Sequence, residues 1–172
     1  MPDYARTLVR EVPDFPKPGI LFKDITPVLA DPVALHEVVS AVARRTALLD
    51  AQCVAGIESR GFLFGAPAAV SLGLGFVPIR KVGKLPWRTR RVSYDLEYGT
   101  SAVEIHEDAV VPGQRVVIVD DLLATGGTAA AAARLVEDLG GVVAGFVFVI
   151  ELGFLNGRSQ LGDRPVVSLI QS

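Results

Sequence analysis

The chain has 172 residues, a formal net charge of −2, one Cys and an apolar share of one half. That size fits one domain, and the apolar share excludes a wholly disordered chain. The lone Cys excludes an internal disulfide, no Cys/His cluster has zinc spacing, and a pI near 5.7 argues against whole-surface nucleic-acid binding.

The opening Met1-Pro2-Asp3-Tyr4-Ala5-Arg6 lacks the apolar stretch of a secretory leader, so a cytoplasmic location is expected. Residues 12–32 carry prolines at 13, 16, 18, 27 and 32, the pattern of surface turns and short helical pieces. Asp31-Pro32 reads as a helix N-cap with proline at the first helical position. Leu35, Val38, Val39, Val42 and Thr46 follow at helical spacing. The apolar run at 53–57, opened by Cys53 as an inert core thiol, reads as a buried strand. A helix over 61–71, despite Pro67, and a strand over 76–79 come next.

Residues 80–91 hold six basic side chains, no acidic one, a Gly and a Pro, and predict a mobile loop. A hairpin is expected from 92–98 and 101–106, turning at Tyr98-Gly99-Thr100. A buried strand over 115–119, a helix over 128–139 and a second buried strand over 142–150 follow. That last run is far short of the roughly 18–20 apolar residues of a membrane span, so no membrane association is expected. Strands that are apolar throughout, alternating with helices, predict the α/β class, with a mostly parallel sheet flanked by helices. Ligands of such sheets bind beyond the carboxyl ends of the strands. That directs attention to Glu58-Ser59-Arg60, Arg80-Lys81, Asp120-Asp121 and Glu151-Leu152. His36 and His106 have no partner in sequence and read as structural or exposed.

The most informative segment is Asp120-Asp121-Leu122-Leu123-Ala124-Thr125-Gly126-Gly127-Thr128, which joins an apolar strand to a helix. Glycines let a backbone wrap an anion, Thr125 and Thr128 offer hydroxyls, and the helix start offers free N–H groups. It is not a P-loop, because no Lys follows the glycines. Two acids repel phosphate but suit a vicinal diol, whose O–H groups each donate to a carboxylate. Phosphate plus diol describes a ribose 5-phosphate. The plainer alternative, an acid capping a helix beside a glycine turn, needs one acid and leaves the doublet and the Thr-Gly-Gly-Thr run unexplained.

This segment resembles the phosphoribosyl diphosphate (PRPP) signature of type I phosphoribosyltransferases. Three more segments, in order along the chain, resemble the adenine phosphoribosyltransferase family. Phe15-Pro16-Lys17-Pro18-Gly19-Ile20-Leu21-Phe22-Lys23-Asp24-Ile25-Thr26-Pro27 is similar to its N-terminal hood, contributed here mainly by 12–30. Glu58-Ser59-Arg60-Gly61-Phe62-Leu63-Phe64-Gly65 is similar to its pyrophosphate-loop region. Lys81-Val82-Gly83-Lys84-Leu85-Pro86 with Ser93-Tyr94-Asp95-Leu96-Glu97-Tyr98-Gly99 is similar to its flexible loop. The resemblance implies one domain over 1–172, with a small hood and a flexible loop on the type I phosphoribosyltransferase fold.

It also implies roles. Asp120 and Asp121 hold the ribose hydroxyls, and Ala124, Thr125, Gly126, Gly127 and Thr128 the 5-phosphate. Ser59, Arg60, Lys81 and Lys84 face pyrophosphate, with a non-proline cis peptide expected between Ser59 and Arg60. Phe22 stacks on adenine opposite Leu152, and the backbone of Leu21 and Lys23 reads the base edge. Glu97 assists proton movement at the base. The residues alone leave alternatives open: Phe22 as core filler, Arg60 as a surface Arg, Glu97 as an exposed strand Glu, and 80–91 as a nucleic-acid patch or solvated face. The tip Pro86-Trp87-Arg88-Thr89-Arg90-Arg91-Val92 departs from the family by its basic character and its Trp.

The expected reaction joins adenine and PRPP to give AMP and pyrophosphate, with Mg²⁺ carried by PRPP rather than by protein ligands. A transferase for another base, or a non-enzymatic PRPP- or purine-sensing regulator, are the alternatives. No nucleic-acid partner is expected. The family is typically dimeric, and a mean hydropathy of +0.41 fits apolar surface covered by a second subunit.

Overall fold

A computed structural model describes residues 3–95 (the backbone alone at Asp95) and 100–172. The chain opens with α1 (Asp3–Leu8), then an antiparallel pair, β1 (Arg10–Pro13) and β2 (Leu21–Asp24), that registers Val12 with Phe22. This pair was not expected from a proline-rich stretch. The prolines lie at its ends and in its connection, where no ladder N–H is needed. After α2 (Thr26–Ala30), helix α3 (Pro32–Leu48) starts as expected. The Asp31 carboxylate accepts the N–H groups of Val33 (3.0 Å) and Ala34 (2.8 Å). Ala34, Val38, Ala41, Val42 and Thr46 form its buried face.

The remaining elements alternate: β3 (Cys53–Ile57), α4 (Arg60–Leu72), β4 (Gly75–Lys81), β5 (Thr89–Asp95), β6 (Thr100–His106), β7 (Arg115–Leu123), α5 (Gly127–Asp138), β8 (Val142–Glu151) and β9 (Val166–Gln171). Two short 3₁₀ segments, Gly153–Leu155 and Gly157–Leu161, precede β9. Among the described residues seven strands form one sheet in the order β5-β6-β4-β3-β7-β8-β9. The five from β4 to β9 are parallel, and β6 and β5 add an antiparallel edge. The mostly parallel α/β sheet is therefore the expected one.

Helices α3 and α4 cover one face, packing with Val54, Val117, Val119 and Val147; α5 covers the other, over Ala55, Ile118, Phe146 and Phe148. Burying both faces is why these strands are apolar without alternation. Each fully buried Phe or Ile contributes about 1.5–3 kcal/mol. Helix α4 carries the chain from β3 outward to β4, whereas α5 carries it from β7 the other way to β8. The strand order thus reverses between β3 and β7, and a crevice opens at their carboxyl ends. Gly61 lets α4 start hard against β7: a Cβ there would lie 2.7 Å from the Val119 carbonyl oxygen and 3.0 Å from Asp120 Oδ1.

Three boundaries differ from expectation. Strand β7 runs on to Leu123 rather than stopping at Val119, because its register with β8 continues through Leu123 and Glu151. The two acids therefore lie within the strand. The basic stretch at 80–91 is not all loop: Arg80 and Lys81 end β4, and 89–91 begin β5, leaving 82–88 between. Strand β9 was not foreseen; it is short, only partly buried, and takes the edge beside β8.

Candidate active site

Asp120 and Asp121 are consecutive on a strand, so their side chains leave on different sides. Asp120 lines a pocket together with residues 122–129. Asp121 is buried, and its Oδ2 lies 2.9 Å from Arg60 Nε. Burial pushes both carboxyls above the ordinary range, Asp120 further because the Asp121 charge lies beside it; Arg60 pulls both back.

The loop after β7 ends on Gly126, which caps α5 in the left-handed region with φ +88°. No side chain caps α5, so the N–H groups of its first turn face the pocket that an anion would fill. Thr128 Oγ1 donates to the Tyr94 hydroxyl at 3.1 Å. Behind the loop lies the segment Gly157–Leu161. A Cβ on Gly126 would strike the Gly157 carbonyl oxygen, and a Cβ on Gly157 would strike that of Ala124. Two glycines thus let the loop and its buttress meet backbone to backbone. The buttress is clamped by Arg158, whose Nε and Nη2 each reach a Glu151 carboxylate oxygen at 2.7 Å. That pairing holds buried Glu151 below the ordinary carboxylate range.

At the end of β3 the non-proline cis peptide joins Glu58 to Ser59, one bond earlier than expected. The Ser59–Arg60 bond already belongs to the first turn of α4, which is built from trans units. Glu58 Oε2 accepts Arg80 Nε (2.8 Å) and the Lys81 N–H (3.0 Å). Lys81 and Lys84 have exposed side chains, but their backbones are fixed. Glu58 fixes that of Lys81, and Glu104 on β6, with no exposed surface, fixes that of Lys84. Its Oε1 accepts the N–H groups of Gly83 (2.9 Å), Lys84 (3.1 Å) and Leu85 (3.1 Å). Its Oε2 accepts the Thr89 hydroxyl (3.1 Å) and lies 3.2 Å from Arg91 Nε. Burial works to raise the Glu104 carboxyl, yet the donors from Leu85, Thr89, Lys84 and Gly83 together hold it below the ordinary range.

In the hood, Phe22 meets Phe15 edge-on at 5.1 Å, and the Arg60 guanidinium lies 5.3 Å from its ring centre. Lys23 is buried and its ammonium pairs with Glu11, lining a separate pocket with Ile150 and Ile170. Leu21 and Lys23 are two apart on β2, so their backbone polar groups share one edge. Leu152 is half-buried at the end of β8, its N–H donating to the Leu123 carbonyl.

The structure thus joins Asp120 to the 124–128 loop, and links Asp121 through Arg60 to Phe22. Lys81 and Lys84 reach this group through backbone anchors rather than direct contact. Glu97, and with it the turn at 98–99, lies outside the described residues. Sequence reasoning missed Glu104, Tyr94 and the Gly157 buttress. Glu104 had a signal: an acid set between Val103 and Ile105 on a buried strand asks for partners. The other two are tertiary meetings with no local signature.

The family described as "Phosphoribosyl transferase domain" matches residues 36–164. An adenine phosphoribosyltransferase of a Synechococcus strain is 55% identical over 165 residues, 96% of each chain. The crystal structure of adenine phosphoribosyltransferase from Thermoanaerobacter pseudethanolicus superposes with a TM-score of 0.97 at 53% identity, covering 100% of both chains. That of the Saccharomyces cerevisiae enzyme, complexed with an imino-altritol bisphosphate and adenine, has a TM-score of 0.90 at 42% identity, covering 98% of this chain and 99% of its own. With its sheet order, its strand-borne acid pair and its glycine loop, the chain belongs to the adenine phosphoribosyltransferase family and has the type I phosphoribosyltransferase fold.

Proposed function

We propose that Asp120, Asp121 and residues 124–128 hold the ribose 5-phosphate half of PRPP while the chain transfers its 5-phosphoribosyl group to adenine, giving AMP and pyrophosphate. One observation carries this assignment: a pocket that has Asp120 on one wall and the whole glycine loop on the other. The uncapped start of α5 receives the 5-phosphate. The acids, crowded and desolvated, gain partners when the ribose hydroxyls donate to them.

Breaking the bond from C1′ to the diphosphate leaves positive charge on the sugar and negative charge on pyrophosphate. Arg60 stands at the crevice with its fork already oriented by Asp121. Lys81 and Lys84, with exposed side chains on anchored backbone, meet the departing pyrophosphate together with Ser59 at the start of α4. Phe22 stacks on the purine, a contact worth about 1–3 kcal/mol in nucleic-acid systems, with Leu152 on its other face. The shared backbone edge of Leu21 and Lys23 reads the purine, and Glu97 takes or holds its proton. The hood, mainly 12–30, completes a single domain over 1–172.

Mg²⁺ supplies charge neutralisation at the diphosphate when bound. Among the described residues no three His, Cys, Asp or Glu side chains converge as a metal cage. That donor set suits an ion brought in on PRPP, which Asp120 and Asp121 would help to hold by way of the bound substrate. Among the described residues no helix is long and apolar enough to cross a membrane. We place the protein in the cytoplasm as a homodimer, acting on small molecules rather than nucleic acid. Leu63, Pro67 and Val70 form an exposed apolar line on α4, Val70 being 80% exposed, which favours a covered face.

The test is product formation from PRPP and Mg²⁺ with each purine base in turn. AMP from adenine, well above any product from hypoxanthine, guanine or xanthine, is expected. Preference for another base, or tight PRPP binding with no turnover of any base, would refute the assignment.

A further inference from the structure

Strand β5 lies along α5, and the Tyr94 ring packs against the core beneath that helix. Its hydroxyl meets Thr128, the second residue of α5, at 3.1 Å. A threonine hydroxyl has one hydrogen to give and two lone pairs to fill. Here the hydrogen goes to Tyr94, although Thr128 lines the pocket of the glycine loop. An anion in that pocket competes for the same hydrogen. Tyr94 has its own O–H and is free to reverse the bond by donating to Thr128 Oγ1. The result is a donor relay, Tyr94 to Thr128 to anion, in which each bond polarises the next.

We propose that Tyr94 is a positioning residue for the 5-phosphate: it holds the Thr128 hydroxyl in place and, when phosphate fills the loop, donates to Thr128 so that the threonine hydrogen turns to the anion. The inference rests on reading 124–128 as the phosphate loop. It also ties β5, the strand that leads toward Glu97, to the occupancy of the sugar-phosphate site.

The experiment is calorimetric binding of ribose 5-phosphate, and separately of Mg²⁺-pyrophosphate, to the wild type, Tyr94→Phe, Thr128→Val and the double variant. Thr128→Val is expected to weaken ribose 5-phosphate binding about 10-fold or more, the loss of a hydrogen bond to a charged group. Tyr94→Phe keeps the ring and is expected to weaken it about 3- to 10-fold, with pyrophosphate affinity unchanged. In steady state the same variant raises the KM for PRPP more than it lowers kcat. The double variant is expected to match Thr128→Val alone. Tyr94→Phe with unchanged ribose 5-phosphate affinity overturns the proposal. So does an equal loss in the Thr128→Val background, or a loss shared with pyrophosphate, which marks a merely structural tyrosine. Should Thr128→Val itself leave ribose 5-phosphate binding intact, the phosphate-loop assignment fails, whatever Tyr94 does.

Discussion

Asp120 and Glu104 are both acids set into the sheet, and their surroundings treat them in opposite ways. Asp120 is desolvated beside a second carboxylate and has its carboxyl raised; Glu104 is desolvated but saturated with donors and has its carboxyl lowered. A raised carboxyl gives stability that is present below the ordinary carboxylate range and lost as pH rises through its folded value. Above that value the ionised Asp120 weakens the ligand-free fold. Asp120→Asn should raise the melting temperature at pH 7.5 by about 2–4 °C, with the gain fading below about pH 4. The same change should cut kcat/KM for PRPP by about 10- to 100-fold, since a carboxylate acceptor for a ribose hydroxyl is gone. Thermal melts across pH, paired with PRPP kinetics, check both halves; a destabilised Asp120→Asn would contradict the strain assigned to this acid. In the wild type, kcat/KM for PRPP should climb as pH rises through the Asp120 titration. The doublet was legible in the sequence as a diol site. That its members part, one to the loop pocket and one to Arg60, was not, because the parting depends on β7 extending past them.

At the scale of elements, the segment 82–88 shows what composition leaves out. Six basic residues and no acid between 80 and 91 predict a mobile loop; the acid that holds its near side comes from β6, some twenty residues on. Glu104→Ala should destabilise the protein by about 1–3 kcal/mol, the cost of leaving the N–H donors of 83–85 without their acceptor. Because the Glu104 carboxyl is lowered, its contribution is present above the ordinary carboxylate range and lost as pH falls through its folded value. Denaturant melts of Glu104→Ala and wild type should diverge at neutral pH and converge in acid; equal stability at pH 7 would refute the network's weight. The strands β3, β7 and β8 were legible because both-face burial leaves unbroken apolar runs, and α3 because Asp31-Pro32 announces its start. The hood pair, the 3₁₀ buttress and β9 were not, since each is fixed by what it meets across the fold rather than by its own pattern.

For the whole molecule, the sheet order supplies the crevice and the helices stand clear of it, so the chemistry collects at one edge of β3 and β7. The balance of charge, near zero overall, conceals an acid pair inside that crevice and cations along its rim. The outward line of Leu63, Pro67 and Val70 on α4 belongs to the same scale. Light scattering should return about twice the 18.2 kDa chain mass, and Val70→Glu should shift it toward the single chain; a wild-type protein that stays at the single-chain mass at working concentration would remove the dimer. Finally, Glu104 grips only main-chain N–H groups of 83–85, and so it is blind to the side chains they display. At 84 and 85 any residue but proline satisfies it, whereas Gly83, at φ +88°, is held to glycine by its backbone. The leaving-group rim can therefore exchange its cations, or acquire an oddity such as Trp87, by drift or by design without disturbing the framework beneath, and selection is free to retune turnover there at little structural risk.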